Sequence, residues 1–412
     1  MKTKRRENKT LVYGESTRMM NKQRMLDKKQ PDNAKSIPYS KLYSKFTLRK
    51  TLFIFALLVV LIILAVVTLS IHPVDIGGLS NVFSSLIRGL KSAFNALVHG
   101  ESPLNGLMSG VPSRAEDFKL WLCYCGIWFT TLPQNVMAII VGASLATAGS
   151  VMQGVLRNPL VSPYTVGVSS GATLGASLAI ILGFSFVGIG TYVIIVNAYV
   201  FALITSFLII GIGRLRGSTP ESFILVGIAL TYLFSACTSF LQYLGLGEDG
   251  AISAIVFWMM GSLQGMSWNY IFVSSVVLLV CLVPFMLLSW DLNAMSVGGD
   301  EVAISLGVNP GRVRVISMML VAFVTATVIC FTGIIGFVGL VAPHISRLIV
   351  GEDHRFLIPC SGVLGALMVL LAHTIARTIL APEVIPVGIL LSFIGAPFFL
   401  YLLFKKRRQY WG

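Results

Sequence analysis

Charged side chains are scarce in this sequence. Asp, Glu, Lys and Arg make up 12% of its 412 residues and hydrophobic residues 55%, whereas a soluble domain carries about 25% charged residues. No stretch is long and polar enough to form a second, water-soluble domain beside the apolar part. The composition therefore excludes an ordinary soluble enzyme and indicates a protein whose bulk lies in a membrane.

Motifs of metal-dependent and nucleotide chemistry are also missing. The sequence contains no His-Glu-x-x-His motif and no Walker A loop. Its six cysteines lie mostly inside apolar runs, where cysteine behaves as a small hydrophobic residue. Cys123 and Cys125 lack the spacing of a metal site. We expect that the chain is not an enzyme and that it holds no catalytic residue, metal or cofactor of its own.

Ionisable residues are almost absent from the middle of the apolar runs. Ion-coupled transporters usually keep Asp, Glu, Lys or His at that depth, although broken helices also bind ions through backbone carbonyls. A lone histidine such as His344 or His373 is more typical of packing than of a site. The pattern favours a transport path driven by an external motor, and an ion-coupled secondary transporter is the alternative.

Long uncharged runs are what the sequence has in abundance, and about 20 apolar residues suffice to cross a bilayer. Lys and Arg are enriched on the cytoplasmic side of membranes, which places both the basic N-terminal tail and the basic end after residue 404 in the cytoplasm. The runs then divide into ten spans, two of them within 315–346 and turning at Gly333 and Gly336. The other eight are 52–71, 132–156, 164–184, 191–212, 222–244, 268–289, 356–380 and 386–404.

The expected fold is thus an all-α polytopic protein of the cytoplasmic membrane with ten transmembrane helices. Residues 1–50 form a basic, disordered cytoplasmic tail, 51–405 the membrane domain and 406–412 a cytoplasmic end. An outer loop, 72–120, follows the first span. The tail carries most of the positive charge but no aromatic interleaving or fold motif, so we predict contact with anionic lipid and no nucleic-acid binding.

A polar loop, residues 290–314, separates the sixth and seventh spans on the cytoplasmic side. Gly298 and Gly299 break the chain there, and Asp300 is placed to cap a short helix, 301–306, that stops at Gly307. Asn309, with the proline and glycine that follow, turns the chain back into apolar sequence. We interpret this loop as a docking element for a soluble partner that does mechanical work on the membrane domain.

Small residues recur at helical spacing in the second and third spans. Such faces allow close helix packing, and they also suit the lining of a wide path or an interface between two copies. The candidates are Gly142, Gly149, Gly167, Ser170, Gly171 and Gly175.

Three long motifs resemble the FecCD family, the permease subunits of ABC importers for iron–siderophores, haem and cobalamin. They are the Gly-rich stretch 333–347 with 351–355, the stretch 153–171 and the stretch 386–397. The resemblance covers roughly residues 55–405. It implies two permease subunits, two cytoplasmic ATPases that bind ATP and Mg, and an extracytoplasmic binding protein.

The resemblance also implies roles for individual residues. Loop 290–314 corresponds to the segment that docks on the ATPase, and its candidate coupling residues are Asp300, Glu301, Ala303, Leu306 and Gly307. His354 and Arg355, in another cytoplasmic loop, either add contacts or hold the inner boundary. The resemblance assigns the remaining motif positions to helix packing or to the translocation path. They are Gln153, Gly336, Gly339 and Pro343.

On the outer face, Arg377 matches a family position that tends to pair with a glutamate of the binding protein, and the alternative is that it snorkels to the interface. Gln134 stands where the family usually has a second docking arginine. The cargo that the resemblance favours is a ferric siderophore, with haem and cobalamin as alternatives.

Overall fold

The computed structural model describes residues 39–71, four positions between 82 and 87, residues 125–184, 186, 192–247 and 250–407. Within these residues the regular structure is helical, with no strand. The helices are α1 (Tyr39–Ser70), α2 (Leu132–Val155), α3 (Val168–Leu182), α4 (Val193–Leu215), α5 (Pro220–Leu244), α6 (Ala251–Met259), α7 (Trp268–Ser305), α8 (Pro310–Thr332), α9 (Val338–Val350), α10 (His354–Thr378) and α11 (Val387–Arg407). A π-helical turn, Ile127–Thr131, precedes α2, and a 3-10 turn, Gly245–Gly247, follows α5.

Seven of the described helical segments are long and apolar enough to cross a membrane: α1, α2 with its π turn, α4, α5 with its 3-10 turn, α7, α8 and α10. Three shorter apolar helices, Val168–Leu182, Val338–Val350 and Val387–Tyr401, lie where the sequence predicts the remaining spans. The all-helical, multi-pass fold is confirmed. The count of ten spans stays a prediction.

The start of α1 differs from expectation. The chain divides after Lys50 into two units, 1–50 and 51–412. Helix α1 begins at Tyr39, ahead of the predicted first span, and the disorder of the N-terminal tail stays a prediction. Residues 39–50 contain no Gly or Pro, and their Lys, Leu and Arg side chains favour continuation of a helix. Residues 1–38, most of the outer loop 72–120 and residues 408–412 lie outside the described part.

Helix α2 is the most buried of the long helices, because small residues let its neighbours approach. A Cβ atom built on Gly142 would overlap the carbonyl oxygen of Gly365 in α10, and one on Gly149 would overlap that of Gly339 in α9. Both neighbours are backbone atoms, which cannot move aside as a flexible side chain would. The two predicted packing glycines therefore place α2 between α9 and α10.

Two hydrophobic clusters fill the interior, and α2 contributes to both. One contains Val155, Phe223 and Leu292, all at the end of the bundle that carries loop 290–314. The other contains Met137 and Leu370 towards the opposite end. The loop is therefore attached to a packed end of the bundle.

We expect Gly149→Ala to lower the free energy of unfolding by about 1–3 kcal/mol, since overpacking forces the backbones of α2 and α9 apart. Gly211→Ala is the matched control, because a Cβ at that position in α4 meets nothing within 4 Å. The control should unfold at the same denaturant concentration as the wild type or a slightly higher one. Equal losses in both variants, measured by denaturant titration in detergent, would contradict close packing at Gly149.

Candidate functional site

Loop 290–314 begins as a continuation of a membrane helix. α7 runs past the expected end of its span at residue 289 and is broken at Gly298 and Gly299. Gly299 has a φ of 82°, a left-handed conformation that glycine adopts at low cost. A Cβ there would also lie 2.5 Å from Nη1 of Arg157. The glycine break predicted from the sequence is confirmed, and the residues after it, 300–305, form a short segment that we call the loop helix.

The loop helix ends in a Schellman motif. Val308 N–H donates to the carbonyl of Ala303 at 2.9 Å, Gly307 N–H donates to that of Ile304 at 2.9 Å, and Gly307 has a φ of 85°. Asn309 Oδ1 then accepts from the backbone N–H of Arg312 at 3.1 Å and caps α8. The predicted stop at Gly307 and the turn at Asn309 are therefore confirmed.

A buried arginine fastens the loop helix to the bundle. Arg314 is 2% exposed, and its Nη1 and Nη2 donate to the two carboxylate oxygens of Asp300 at 2.9 and 2.6 Å. The same guanidinium donates to the carbonyl of Val155 at 3.3 Å and to that of Ser218 at 3.0 Å. Arg157 adds a second ion pair to Asp300 at 3.3 Å. Through these two arginines, Asp300 joins the loop helix to the end of α2 and to the loop between α4 and α5.

The faces of the loop helix differ in polarity and exposure. Ala303 is fully buried and belongs to the cluster that contains Val155. Ile304 is 61% exposed and Leu306 65%, and just before the glycine break Val297 is 82% exposed. Glu301 is also exposed. Apolar side chains exposed together on a segment outside the spans are typical of a protein interaction surface.

The start of α10 is tied to the start of the loop. Asn293 Oδ1 accepts from the backbone N–H of His354 at 2.8 Å, and Asn293 Nδ2 donates to Asp353 at 2.8 Å. Burial alone would raise the pKa of the Asp353 carboxyl, but hydrogen bonds from Arg355 and Asn293 outweigh it and hold the pKa at about 2. The Arg355 guanidinium also lies 4.3 Å from the ring centroid of Trp290.

His354 is 3% exposed. Together with the contacts of Arg355 on Trp290, this burial favours the second of the two roles predicted for these residues, that of holding the inner boundary. In this conformation the loop helix, rather than the 354–355 segment, offers the exposed apolar surface.

At the opposite end of the bundle, Arg377 is 3% exposed and donates from Nη2 to the backbone carbonyl of Thr68 in α1. In this conformation α1 and α2 cover this face of α10, so the guanidinium of Arg377 is buried. Docking and snorkelling, the two roles predicted for Arg377, both stay predictions. Gln134 is partly buried in the first turn of α2.

Most of the small residues assigned to packing or to the path make close helix contacts inside the chain. A Cβ on Gly171 or Gly175 would overlap α4, one on Gly167 would lie 2.7 Å from Thr231 in α5, and one on Gly339 would lie 2.8 Å from the Leu145 carbonyl. Gly336 differs, since a Cβ there meets nothing within 4 Å. It lines a cavity together with Gly388 and Phe393.

The polar residues assigned to helix packing or to the translocation path are also buried within the chain. Ser170 Oγ donates to the carbonyl of Gly167 at 2.8 Å. Gln153 is 2% exposed, and its Oε1 accepts from Arg347 at 3.2 Å. Pro343 is buried within α9. The described residues contain no group of three or more His, Cys, Asp or Glu side chains that could hold a metal ion.

The chain matches a family model described as the FecCD transport family over residues 60–405. It is 39% identical over 279 residues to the Fe(3+)-citrate import system permease protein of Bacillus subtilis, covering 68% of this chain and 82% of the relative. It is 41% identical over 298 residues to the cobalamin import system permease protein of Halobacterium salinarum, covering 72% of this chain and 76% of the relative.

A solved structure described as an inward-facing conformation of an ABC transporter assigned to the metal-chelate type matches with 32% identity and a TM-score of 0.69, covering 86% of this chain and 99% of that chain. The chain belongs to the FecCD transport family. It is a multi-pass permease component of the cell membrane, of the ABC importer class.

Sequence reasoning missed several residues of the loop surface in this FecCD permease. Val297 and Ile304 share the exposed apolar surface with Leu306, and Arg314 and Arg157 hold Asp300. The exposed apolar pair was detectable, because Val297 and Ile304 are apolar residues within a polar loop. The ion pair between Arg157 and Asp300 could not be detected from the sequence, since Arg157 lies 143 residues before Asp300 in the chain.

Proposed function

We propose that this chain is the transmembrane permease subunit of an ATP-driven importer that carries a ferric chelate, and specifically a ferric siderophore, by alternating access. Two relatives are named for import of Fe(3+)-citrate and of cobalamin, and the matched structure is assigned to the metal-chelate type. These names favour a large chelate as cargo. Haem and cobalamin remain the alternatives that the test below separates.

The observation that carries the proposal is the construction of loop 290–314. Ile304 and Leu306 present an exposed apolar surface, while Asp300 and Arg314 clamp the same segment to the end of α2. A surface that is exposed to a partner and rigidly attached to the bundle can transmit force. The partner that fits is a cytoplasmic ATPase, with ATP and Mg bound on its own chain.

The same construction supports a symmetrical mechanism. Two permease subunits would form the path between them, and each would offer one loop helix to one of two ATPases. Closure of the ATPases on ATP would draw the loop helices together and tilt α2, to which each is fastened. An extracytoplasmic binding protein would deliver the cargo, with Arg377 and Gln134 near the docking face and Gly336 close to the path.

Reconstitution in liposomes tests this function. The purified permease, its ATPase and its binding protein should accumulate a radiolabelled ferric hydroxamate siderophore only when ATP is present on the ATPase side. Excess cobalamin or haem should leave that uptake unchanged, and competition by either would assign the cargo to that alternative. Accumulation by the permease alone, driven by an ion gradient, would contradict the proposal and indicate a secondary transporter.

A further inference from the structure

Arg157 occupies a backbone position at which glycine is usual. Helix α2 ends in a Schellman motif, in which Asn158 N–H donates to the carbonyl of Gln153 at 3.2 Å and Arg157 N–H donates to that of Gly154 at 3.3 Å. Arg157 has a φ of 47°. This left-handed conformation is costly for a residue with a Cβ atom and nearly free for glycine. The end of α2 would therefore fold as well or better with glycine at position 157.

The ion pair of Arg157 gives the fold little in return. Its Nη2 lies 3.3 Å from one carboxylate oxygen of Asp300, and the two side chains are 36% and 35% exposed. An ion pair so open to solvent shifts the folding equilibrium by no more than about fivefold. Asp300 already has a closer, bidentate partner in the buried Arg314. A residue that departs from the local rule without a gain in stability is typical of a functional position.

The guanidinium of Arg157 lies at the glycine break that separates the loop helix from the rest of α7. A Cβ atom built on Gly299 would lie 2.5 Å from Nη1 of Arg157, and the loop helix begins at the next residue, Asp300. The backbone of Arg157 continues directly from α2, whose Gly142 and Gly149 contact the backbones of α10 and α9. One side chain therefore links the start of the loop helix to the helix that packs between two others.

We propose that Arg157 is a positioning residue for coupling, whose guanidinium transmits movement of the loop helix to α2. The inference rests on the proposed function, because it assigns one step of the ATP-driven mechanism to this side chain. Arg314 has a different part. It also reaches α2, through the carbonyl of Val155, but it belongs to α8 and holds three segments together. Arg157 belongs to the α2 segment itself and moves with it.

Arg157→Gly separates coupling from stability. Glycine relieves the left-handed backbone and removes the guanidinium, so the variant should melt in detergent within about 3 °C of the wild type, or above it. In liposomes with the ATPase and the binding protein, it should still hydrolyse ATP. The amount of radiolabelled ferric hydroxamate siderophore taken up per ATP hydrolysed should fall by about tenfold. A wild-type ratio would overturn the proposal, because a residue that serves only the fold would give that result.

Two control variants separate the guanidinium at 157 from positive charge in general. Arg157→Lys keeps a cation that can make a single contact with Asp300, so it should retain most of the wild-type ratio. Arg216→Ala removes an exposed arginine that follows α4 and should leave the ratio unchanged. Equal loss in Arg216→Ala and Arg157→Gly would contradict a specific role for Arg157.

The remaining outcomes also decide between the roles. A fall of the melting temperature of Arg157→Gly well beyond that range would show that the fold needs the arginine, and would overturn the assignment. Loss of ATP hydrolysis in Arg157→Gly would place Arg157 in ATPase binding instead of transmission. Wild-type uptake without ATP would overturn the proposed function and this inference together. ATP-dependent uptake with an unchanged ratio in Arg157→Gly would overturn this inference alone.

Discussion

Leu306→Arg is expected to abolish uptake while the protein still inserts and folds. Leu306 is 65% exposed at the end of the loop helix, outside the buried core, so a charged side chain there meets only water in the isolated subunit. In the proposed complex it would enter an apolar contact on the ATPase. Loss of a central apolar anchor costs about 2–4 kcal/mol, which corresponds to a 30- to 1,000-fold weaker association with the ATPase.

The measurement compares ATPase affinity and ATP-dependent uptake in liposomes for Leu306→Arg, Leu306→Met and the wild type. Leu306→Met keeps an apolar side chain of similar volume and should retain most of the uptake. Wild-type uptake by Leu306→Arg would remove loop 290–314 from the coupling mechanism. Equal failure of both variants would indicate that Leu306 acts through the fold of the loop instead.

Asp300→Asn is expected to lower the free energy of unfolding by about 3–5 kcal/mol, because it leaves the guanidinium of Arg314 buried without its carboxylate. Arg314 would keep its hydrogen bonds to the carbonyl oxygens of Val155 and Ser218, but these groups carry no net negative charge. Uptake should fall as well, since the loop helix would no longer be fastened to α2. Denaturant titration in detergent gives the first quantity, and uptake in liposomes gives the second.

The double variant Asp300→Asn with Arg314→Met separates charge from contact. Removing both charges avoids the unpaired buried cation, so most of the stability should return. Uptake should remain low, because neither side chain then joins the loop helix to the bundle. A double variant that is no more stable than Asp300→Asn alone, or one with full uptake, would contradict the role assigned to the pair.

Local signals in the sequence predict the course of the chain well. The structure has a helix break at Gly298 and Gly299, a helix end at Gly307 and a helix cap at Asn309. Each of these conformations depends on one residue and its neighbours, so the sequence could indicate it. The turn between α8 and α9 falls at the predicted glycines for the same reason.

Contacts between distant segments could not be predicted in this way. The burial of Arg377 depends on α1 and α2, which precede it by more than 200 residues, so no local signal in the sequence indicates it. The ion pair between Asp300 and Arg157 likewise depends on how the segment after α2 meets the loop helix. Hydrophobic periodicity and charge bias carry no information about such pairs.

Coupling in the proposed mechanism depends on contact between the loop helix and a cytoplasmic ATPase. A photo-crosslinking amino acid at position 306 tests that contact directly, with position 244 at the far end of α5 as the control. We expect an adduct between residue 306 and the ATPase, and no such adduct from residue 244. Absence of the adduct at 306 in an assembled, ATP-hydrolysing complex, or an adduct there with the extracytoplasmic binding protein, would contradict the mechanism.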